Sequence, residues 1–195
     1  SYSNQTISGA SQDSEGNYVL AFEEDDVFYL FKTDSFGNLL WSKNFDYGIS
    51  SGFYGQSICT DDNRYFVGGF IMGMGTGSRD GSLFITDYNG VAQSMTKIDD
   101  DLHSNAIHAA SAMDEGFILA GRTEGGNGGQ YDFYIMKLNT GGSIEWARSY
   151  GGSGWDWAKW AEPTSDLGYI ITGYGDGFAG YYDDVYSAIY LNSAE

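Results

Sequence analysis

Residues Tyr131–Gly173 read YDFYIMKLNTGGSIEWARSYGGSGWDWAKWAEPTSDLGYIITG. Short aromatic and aliphatic runs alternate here with turns rich in glycine, asparagine and aspartate, which is the pattern of successive β-strands. The stretch predicts strands at Phe133–Leu138, at Ser143–Tyr150 and around Ala158–Ala161. The first two are joined by the short glycine-bearing connection Asn139–Gly142, as in a β-hairpin.

Parts of this stretch recur along the chain. One motif occurs four times, as EGNYVLAF at Glu15–Phe22, DNRYFVGGF at Asp62–Phe70, DEGFILAGR at Asp114–Arg122 and DLGYIITGY at Asp166–Tyr174. Its leading aromatic residues are 47, 52 and 52 positions apart, at Tyr18, Tyr65, Phe117 and Tyr169. A second motif follows each copy, at Phe28–Trp41, Ser82–Val91, Phe133–Trp146 and, in shorter form, Val185–Asn192. Two motifs that keep one period indicate a structural repeat.

Each period accommodates four strands, here called A to D, with Phe117–Ala120 as an example of strand A. The repeat therefore predicts an all-β protein, a β-propeller of four blades with about 52 residues per blade. We place a single domain at 1–195, with units at approximately 15–61, 62–113, 114–165, and 166–195 plus 1–14. The glycine density and the absence of a sustained 3.6-residue period exclude a helical solenoid.

The last unit is shorter than the others. We expect the N-terminal segment to complete the last blade, or the chain to be part of a larger propeller. Otherwise this blade keeps an open edge, and an exposed edge is a template for strand pairing. The third expectation is therefore a homo-oligomer formed through the open blade edge.

These motifs resemble the extracellular propeller repeats of bacteria and archaea of the type DFYLIKLDSNGNIQWSKTYGG…DGGYIVAG. The similarity covers nearly all of Tyr131–Gly173, is clear at Lys32–Phe45, and is weakest in the second unit, where Ser94 replaces Trp41 and Trp146. The resemblance implies a secreted or surface-attached propeller. It supplies no common catalytic residues.

The composition narrows the choice of partners. The formal charge is −18, from 27 acidic and 9 basic side chains, and such a field opposes binding to nucleic acid or to an anionic membrane. No apolar run approaches the length of a membrane span, so we expect no membrane insertion. The start at Ser1 fits a processed N-terminus, in line with an extracellular or cell-surface location. Cys59 is the only cysteine and lies in an apolar stretch, which favours a small buried residue.

The predicted loops differ between the two ends of the strands. The connections between strands B and C, and between D and the next A, are tight. Longer loops join A to B and C to D, at 72–80, 123–131, 175–183, 46–55, 99–105 and 151–157. Long loops on a rigid scaffold are where binding residues concentrate. We therefore expect the ligand site on this long-loop face.

Aromatic residues in these loops are the main binding candidates. Flat rings with a polar edge suit sugar faces or protein contacts. The predicted ligand-binding residues are Trp155, Asp156, Trp157, Tyr181, Tyr182, Phe53 and Tyr54. For Trp157, and for Trp160 beyond it, packing between blades is the alternative interpretation.

Acidic residues in the same loops suggest a metal site. Asp80, Asp132 and Asp184 recur at 52-residue spacing, with Asp26 nearby in the first unit. A ring of carboxylates would suit Ca²⁺, which takes six to eight oxygen ligands. The alternative is that an aspartate before strand B belongs to the repeat and makes turn hydrogen bonds. We expect no other cofactor.

Three functions remain open. The leading prediction is a non-enzymatic extracellular binding or assembly module that uses the long-loop face for a glycan or protein partner. A structural subunit of a surface layer or filament is the first alternative. The second is a polysaccharide hydrolase or lyase with a carboxylate acid and base. Only His103 and His108 are available as histidines, and no nucleophile is assigned to either.

Overall fold

The structure of the chain, a computed structural model, contains β-strands and no helix in the residues that it describes. These residues are 5–25, 27–45, 53–61, 63–72, 79–98, 105–112, 116–123, 131–175 and 185–191. The all-β prediction is confirmed. Within the same ranges there is accordingly no helix with the length and hydropathy that a membrane crossing needs.

Residues 1–98 form one compact unit with two antiparallel sheets of four strands each. The first sheet contains β1 (Gln5–Gln12), β2 (Tyr18–Glu24), β3 (Val27–Thr33) and β4 (Leu39–Phe45). The second contains β5 (Phe53–Thr60), β6 (Arg64–Met72), β7 (Arg79–Asp87) and β8 (Ala92–Ile98). Strands that are consecutive in the chain are neighbours in the sheet, which is the meander of a propeller blade.

Residues 99–195 form the second compact unit, which also contains two antiparallel meanders. The third sheet contains β9 (Asn105–Ala112), β10 (Gly116–Thr123), β11 (Asp132–Leu138) and β12 (Ile144–Tyr150). The fourth contains three strands, β13 (Asp156–Pro163), β14 (Tyr169–Gly175) and β15 (Val185–Leu191). The chain thus has a multi-blade fold, with the strands predicted from Tyr131–Gly173 present at β11, β12 and β13.

The sheets begin one strand earlier than the sequence units. Each predicted strand D pairs with the following strand A and opens the next sheet, as β13 does with β14. The N-terminal segment behaves in the same way, because β1 pairs with β2 from Gln5–Glu24 to Gln12–Tyr18. The prediction that this segment completes the last blade is therefore wrong, because the segment belongs to the first sheet. The turn at Asp13–Asn17 is so tight that β1 lies beside β2.

Five tight turns share one pattern of backbone hydrogen bonds. They lie at Asp13–Asn17, Asp34–Asn38, Asp87–Val91, Asn139–Ser143 and Thr164–Gly168. The first residue donates to the carbonyl of the fifth, and the fourth donates to the carbonyl of the first. The fourth residue has a positive φ in every case, and it is a glycine in four of the turns but Leu167 in the last. These turns confirm that the B–C connections and two of the D–A connections are tight.

Aromatic packing joins the two sheets of the first unit. Phe28 of β3 is buried and meets Phe53 and Phe84 edge to face, at ring-centroid distances of 5.0 and 5.9 Å. Trp41 of β4 lies 6.0 Å from the ring of Tyr65, the leading aromatic residue of β6. Cys59 is buried, as predicted.

The second unit repeats this packing. Trp146 of β12 lies 6.2 Å from the ring of Tyr169 on β14, as Trp41 does from Tyr65. The core between these two sheets includes Phe133 and Ile171, which are fully buried. The repeat tryptophan therefore packs on the leading tyrosine of the following sheet in both units.

Candidate functional site

The candidate site lies at the long-loop ends of the strands in the second unit. Thr123 ends β10, Asp132 begins β11 and Asp156 begins β13. Residues 151–155, which connect β12 to β13, are the part of the predicted long loops that the structure describes most fully. Most of the other long loops lie outside the described residues, and so do Tyr181, Tyr182, Asp184, Asp26 and His103.

Two buried carboxylates meet at this place. Asp132 and Asp156 are both 0 % exposed. A Cβ on Gly151 would meet Oδ1 of Asp132 and would lie 2.9 Å from Oδ2 of Asp156, so the two carboxylates approach each other around a residue that carries no side chain. The N–H of Gly152 donates to Oδ2 of Asp156 over 2.9 Å. The absence of a side chain at Gly151 thus allows both carboxylates to fit.

The charge of this pair is poorly compensated. Burial raises the pKa of the Asp132 carboxyl above its usual range, and the charge of Asp156 raises it further. Both oxygens of Asp132 and Oδ1 of Asp156 are buried and have no hydrogen-bond partner among the described residues. Oγ1 of Thr123, which is directly opposite Asp132 in the β10–β11 pairing, is also buried and without a partner in that part of the chain.

A pair of aromatic rings lies next to the carboxylates. The rings of Trp155 and Tyr131 have centroids 4.7 Å apart and planes inclined by 46°. The backbone holds them, because the two residues form a parallel bridge and the N–H of Asp156 donates to the carbonyl of Tyr131 over 2.7 Å. Trp155 is 43 % exposed. It therefore presents a flat apolar ring to solvent from a fixed backbone.

Cationic and aromatic groups alternate behind this pair. The guanidinium of Arg122 lies 4.2 Å from the centroid of Tyr131 and 3.8 Å from that of Trp157. The ammonium of Lys159 lies 3.5 Å from the Trp157 ring and 5.5 Å from Tyr174. Burial lowers the pKa of Lys159 below its usual range, and the charge of Arg122 lowers it further. Such cation–π contacts hold the rings in place.

The predicted aromatic residues of the first unit have packing roles. Phe53 is 3 % exposed and belongs to the core between the first and second sheets. Tyr54 stacks on Phe70 with ring centroids 5.0 Å apart. Trp157 is partly buried, and its ring lies 5.7 Å from that of Tyr174 with the planes inclined by 55°. Trp160 is 51 % exposed and donates to Oε1 of Glu162 over 2.7 Å. Of the predicted aromatic residues that are described, Trp155 is the one that faces solvent.

The predicted metal-site aspartates differ in their surroundings. Asp80 of β7 forms an ion pair with Lys97, whose Nζ is 3.2 Å from Oδ2. Asp132 holds the same repeat position on β11 but lies beside another carboxylate. The described residues contain no cluster of three or more histidine, cysteine, aspartate or glutamate side chains arranged for a metal ion. Asp156 was predicted as a ligand-binding residue and is the neighbour of Asp132.

Several site residues were not predicted from the sequence. Thr123, Tyr131 and Gly151 lie at the ends of the loops predicted for the long-loop face, so their position in the repeat was the available signal. A different signal was available for Arg122 and Lys159. The chain has only 9 basic residues, and these two lie close in sequence to the loops 123–131 and 151–157.

Comparisons with known proteins bear on the fold. No protein-family model matches the chain, and no curated protein matches it. A solved protein of unknown function from Bacteroides caccae is similar at 15% identity and a TM-score of 0.58, over 87% of this chain and 57% of that one. One of unknown function from Dyadobacter fermentans is similar at 12% identity and a TM-score of 0.63, over 98% and 61%.

An endo-arabinase from Bacteroides thetaiotaomicron is also similar, at 14% identity and a TM-score of 0.53, over 89% of this chain and 69% of the enzyme. This chain spans about three fifths of the length of the Bacteroides caccae and Dyadobacter fermentans proteins. At these identities the similarities show the fold alone, an all-β fold of the multi-blade, propeller-like kind.

Proposed function

We propose that the protein is a non-enzymatic extracellular binding module whose long-loop face binds a glycan through Trp155. The observation that carries the proposal is the solvent-facing ring of Trp155, held at 4.7 Å from Tyr131. A rigid ring of this kind contacts the apolar face of a sugar without a large loss of side-chain entropy. The extracellular location rests on the repeat resemblance.

The surroundings of Trp155 favour a sugar over a protein surface. The adjoining loop is Gly151-Gly152-Ser153-Gly154, so small and polar groups border the indole. A stable protein interface buries about 800 Å² on each partner and has several apolar anchors at its centre. A single ring with a polar margin matches the size and chemistry of a monosaccharide unit better.

The hydrolase alternative gains less support from the geometry. Its acid and base must reach the glycosidic bond, and Asp132 and Asp156 are 0 % exposed. The arabinase shares the fold at 14% identity, and its activity is not carried over here. We therefore retain binding without catalysis as the proposal.

The test is a glycan array followed by isothermal titration calorimetry with a neutral oligosaccharide that binds. We expect Trp155→Ala to weaken binding at least tenfold, about 1.4 kcal/mol. Trp160→Ala is the matched control. Trp160 is also a half-exposed tryptophan, but it lies within β13 and its indole N–H donates to Glu162. Its affinity should stay within twofold of the unmodified protein.

Two results would contradict the proposal. One is the binding of no glycan on the array, in which case the long-loop face would bind a protein partner instead. The other is an equal loss of affinity in the Trp155 and Trp160 variants, which would place the sugar elsewhere.

A further inference from the structure

The carboxylates of Asp132 and Asp156 form a buried acidic pair. Neither carboxylate is in an ion pair with a lysine or arginine among the described side chains. The nearby cations of Arg122 and Lys159 lie over aromatic rings. Removing two anions from water without a counter-charge is strongly unfavourable. The charge of the pair must therefore be reduced, either by a proton on one carboxyl or by a cation bound beside it.

The corresponding place in the first unit is apolar. Phe53 lies two residues before the β-bulge of β5, as Asp156 lies two residues before that of β13. Val27 precedes Phe28 in the first sheet as Asp132 precedes Phe133 in the third. Because the first unit has a half-buried valine and a core phenylalanine at these positions, the fold itself does not need carboxylates there.

In the second sheet, the charge of the equivalent aspartate is balanced by a lysine. Asp80 occupies the position of Asp132 and has Lys97 at 3.2 Å on the adjacent strand β8. The equivalent residue on β12 is Ser149, which pairs with Tyr134 as Lys97 pairs with Ser82. The third sheet therefore has the aspartate without the lysine, and a second aspartate in addition.

The hydroxyl of Thr123 is a fourth buried oxygen, on the same face of its sheet as Asp132. Thr123 is opposite Asp132 across β10 and β11, is 1 % exposed, and its Oγ1 has no hydrogen-bond partner within the described ranges. Cross-strand partners have their side chains on the same face of a sheet, with Cβ atoms about 5 Å apart. This hydroxyl adds a neutral oxygen to the three carboxylate oxygens that lack partners.

We propose that Asp132 and Asp156, with Oγ1 of Thr123, bind a hard cation of the Ca²⁺ class. All of these ligands are oxygens, which Ca²⁺ prefers, and the ion completes its shell of six to eight with backbone carbonyls and water as in other proteins. The bound ion supplies the positive charge that Lys97 supplies to Asp80. Gly151 has no side chain to fill the space beside the two carboxylates.

The experiment uses the full chain after treatment with a chelator. Isothermal titration calorimetry with CaCl₂ should show one site, and saturating Ca²⁺ should raise the melting temperature by about 5 °C or more. Asp132→Asn and Asp156→Asn should each weaken Ca²⁺ binding at least tenfold and reduce the thermal shift at a given Ca²⁺ concentration. Thr123→Val should weaken binding several-fold. In titrations with MgCl₂ and NaCl, Mg²⁺ and Na⁺ should bind more weakly than Ca²⁺.

Asp80→Asn is the matched control, because it removes the same carboxylate from a repeat position that already has a lysine. It should leave Ca²⁺ affinity within twofold. An absence of both binding heat and thermal shift in the unmodified protein would overturn the proposal, and this measurement needs no variant to fold. An unchanged Ca²⁺ response in both Asp132→Asn and Asp156→Asn would also overturn it. Neither result depends on glycan binding by Trp155.

Discussion

Lys32 and Asp13 form a buried ion pair in the first unit, with Nζ 2.9 Å from Oδ2 and side chains that are 4 % and 1 % exposed. Tyr88 covers the pair from the turn between β7 and β8. Its hydroxyl donates to Oδ2 of Asp13 over 2.5 Å, and its ring centroid lies 3.2 Å from the Lys32 ammonium. The pair thus links the first sheet to the second within this unit.

Replacement of Asp13 should destabilise the protein strongly. Asp13→Asn leaves the ammonium of Lys32 buried without its counter-charge, so we expect the free energy of unfolding to fall by about 3 kcal/mol in denaturant titrations. Asp34→Asn is the control, because Asp34 accepts the same turn hydrogen bonds in an exposed turn. Asp34→Asn should lower the free energy of unfolding clearly less than Asp13→Asn does. Equal losses in the two variants would show that the turn hydrogen bonds, and not the buried ion pair, cause the effect.

Acid should weaken the same interaction. Burial by itself would raise the pKa of Asp13, but hydrogen bonds from Tyr88, Lys32 and Asn17 outweigh burial and lower the pKa to about 2. A depressed carboxyl pKa stabilises the fold above the unfolded value near 4, and this contribution is lost as the pH falls toward 2. The loss should be about 2 kcal/mol.

The measurement is the free energy of unfolding at several pH values between 4.5 and 2. The unmodified protein should lose more stability over this interval than Asp13→Asn. Parallel curves for the two proteins would show that other carboxylates cause the acid sensitivity.

Leu167 is in a strained turn, and relief of the strain should stabilise the protein. It has a φ of +66°, at the position where the matching turns have Gly16, Gly37, Gly90 and Gly142. Leu167→Gly should raise the free energy of unfolding by about 1 kcal/mol, because a left-handed conformation costs a residue with a Cβ roughly 1–2 kcal/mol. Leu167→Ala keeps the strain and removes the exposed side chain, so it should give no comparable gain.

Gly173 marks a close approach of β13 and β14. A Cβ there would meet the carbonyl oxygen of Trp157 and would lie 2.7 Å from Cζ of Phe133. Gly173→Ala should therefore lower the melting temperature, with a loss of about 1–3 kcal/mol. Gly141→Ala, in an exposed turn where the nearest atom would be 3.3 Å away, should have little effect.

The repeat allowed the strands and their order to be predicted, because each motif contains both a strand pattern and its turn residues. Asp34-Ser35-Phe36-Gly37 and its equivalents specify tight turns through their aspartate or asparagine and glycine. The sequence did not show to which sheet β1 belongs. In a repeat, strand D can be assigned either to the unit before it or to the unit after it, and only the pairing of β1 with β2 decides. Trp155 was predicted as a ligand-binding residue from its loop position.

The acidic pair was harder to predict. Asp132 and Asp156 were each identified, but in different roles, because one was grouped by the 52-residue period and the other by its aromatic neighbours. Their approach depends on the glycine at 151 and on the path of the backbone between β12 and β13, which periodicity does not describe. Phe53 was assigned to a loop surface because a strand end and a loop look alike in sequence.

The packing of Trp41 on Tyr65 gives the first unit a spectroscopic reporter of its own. Trp41 is the only tryptophan in residues 1–98, and the other four lie between 146 and 160. The difference in emission between the unmodified protein and Trp41→Phe therefore follows the melting of residues 1–98 separately. Comparison with the far-ultraviolet circular dichroism transition would then reveal whether the two halves of the chain unfold cooperatively or one after the other.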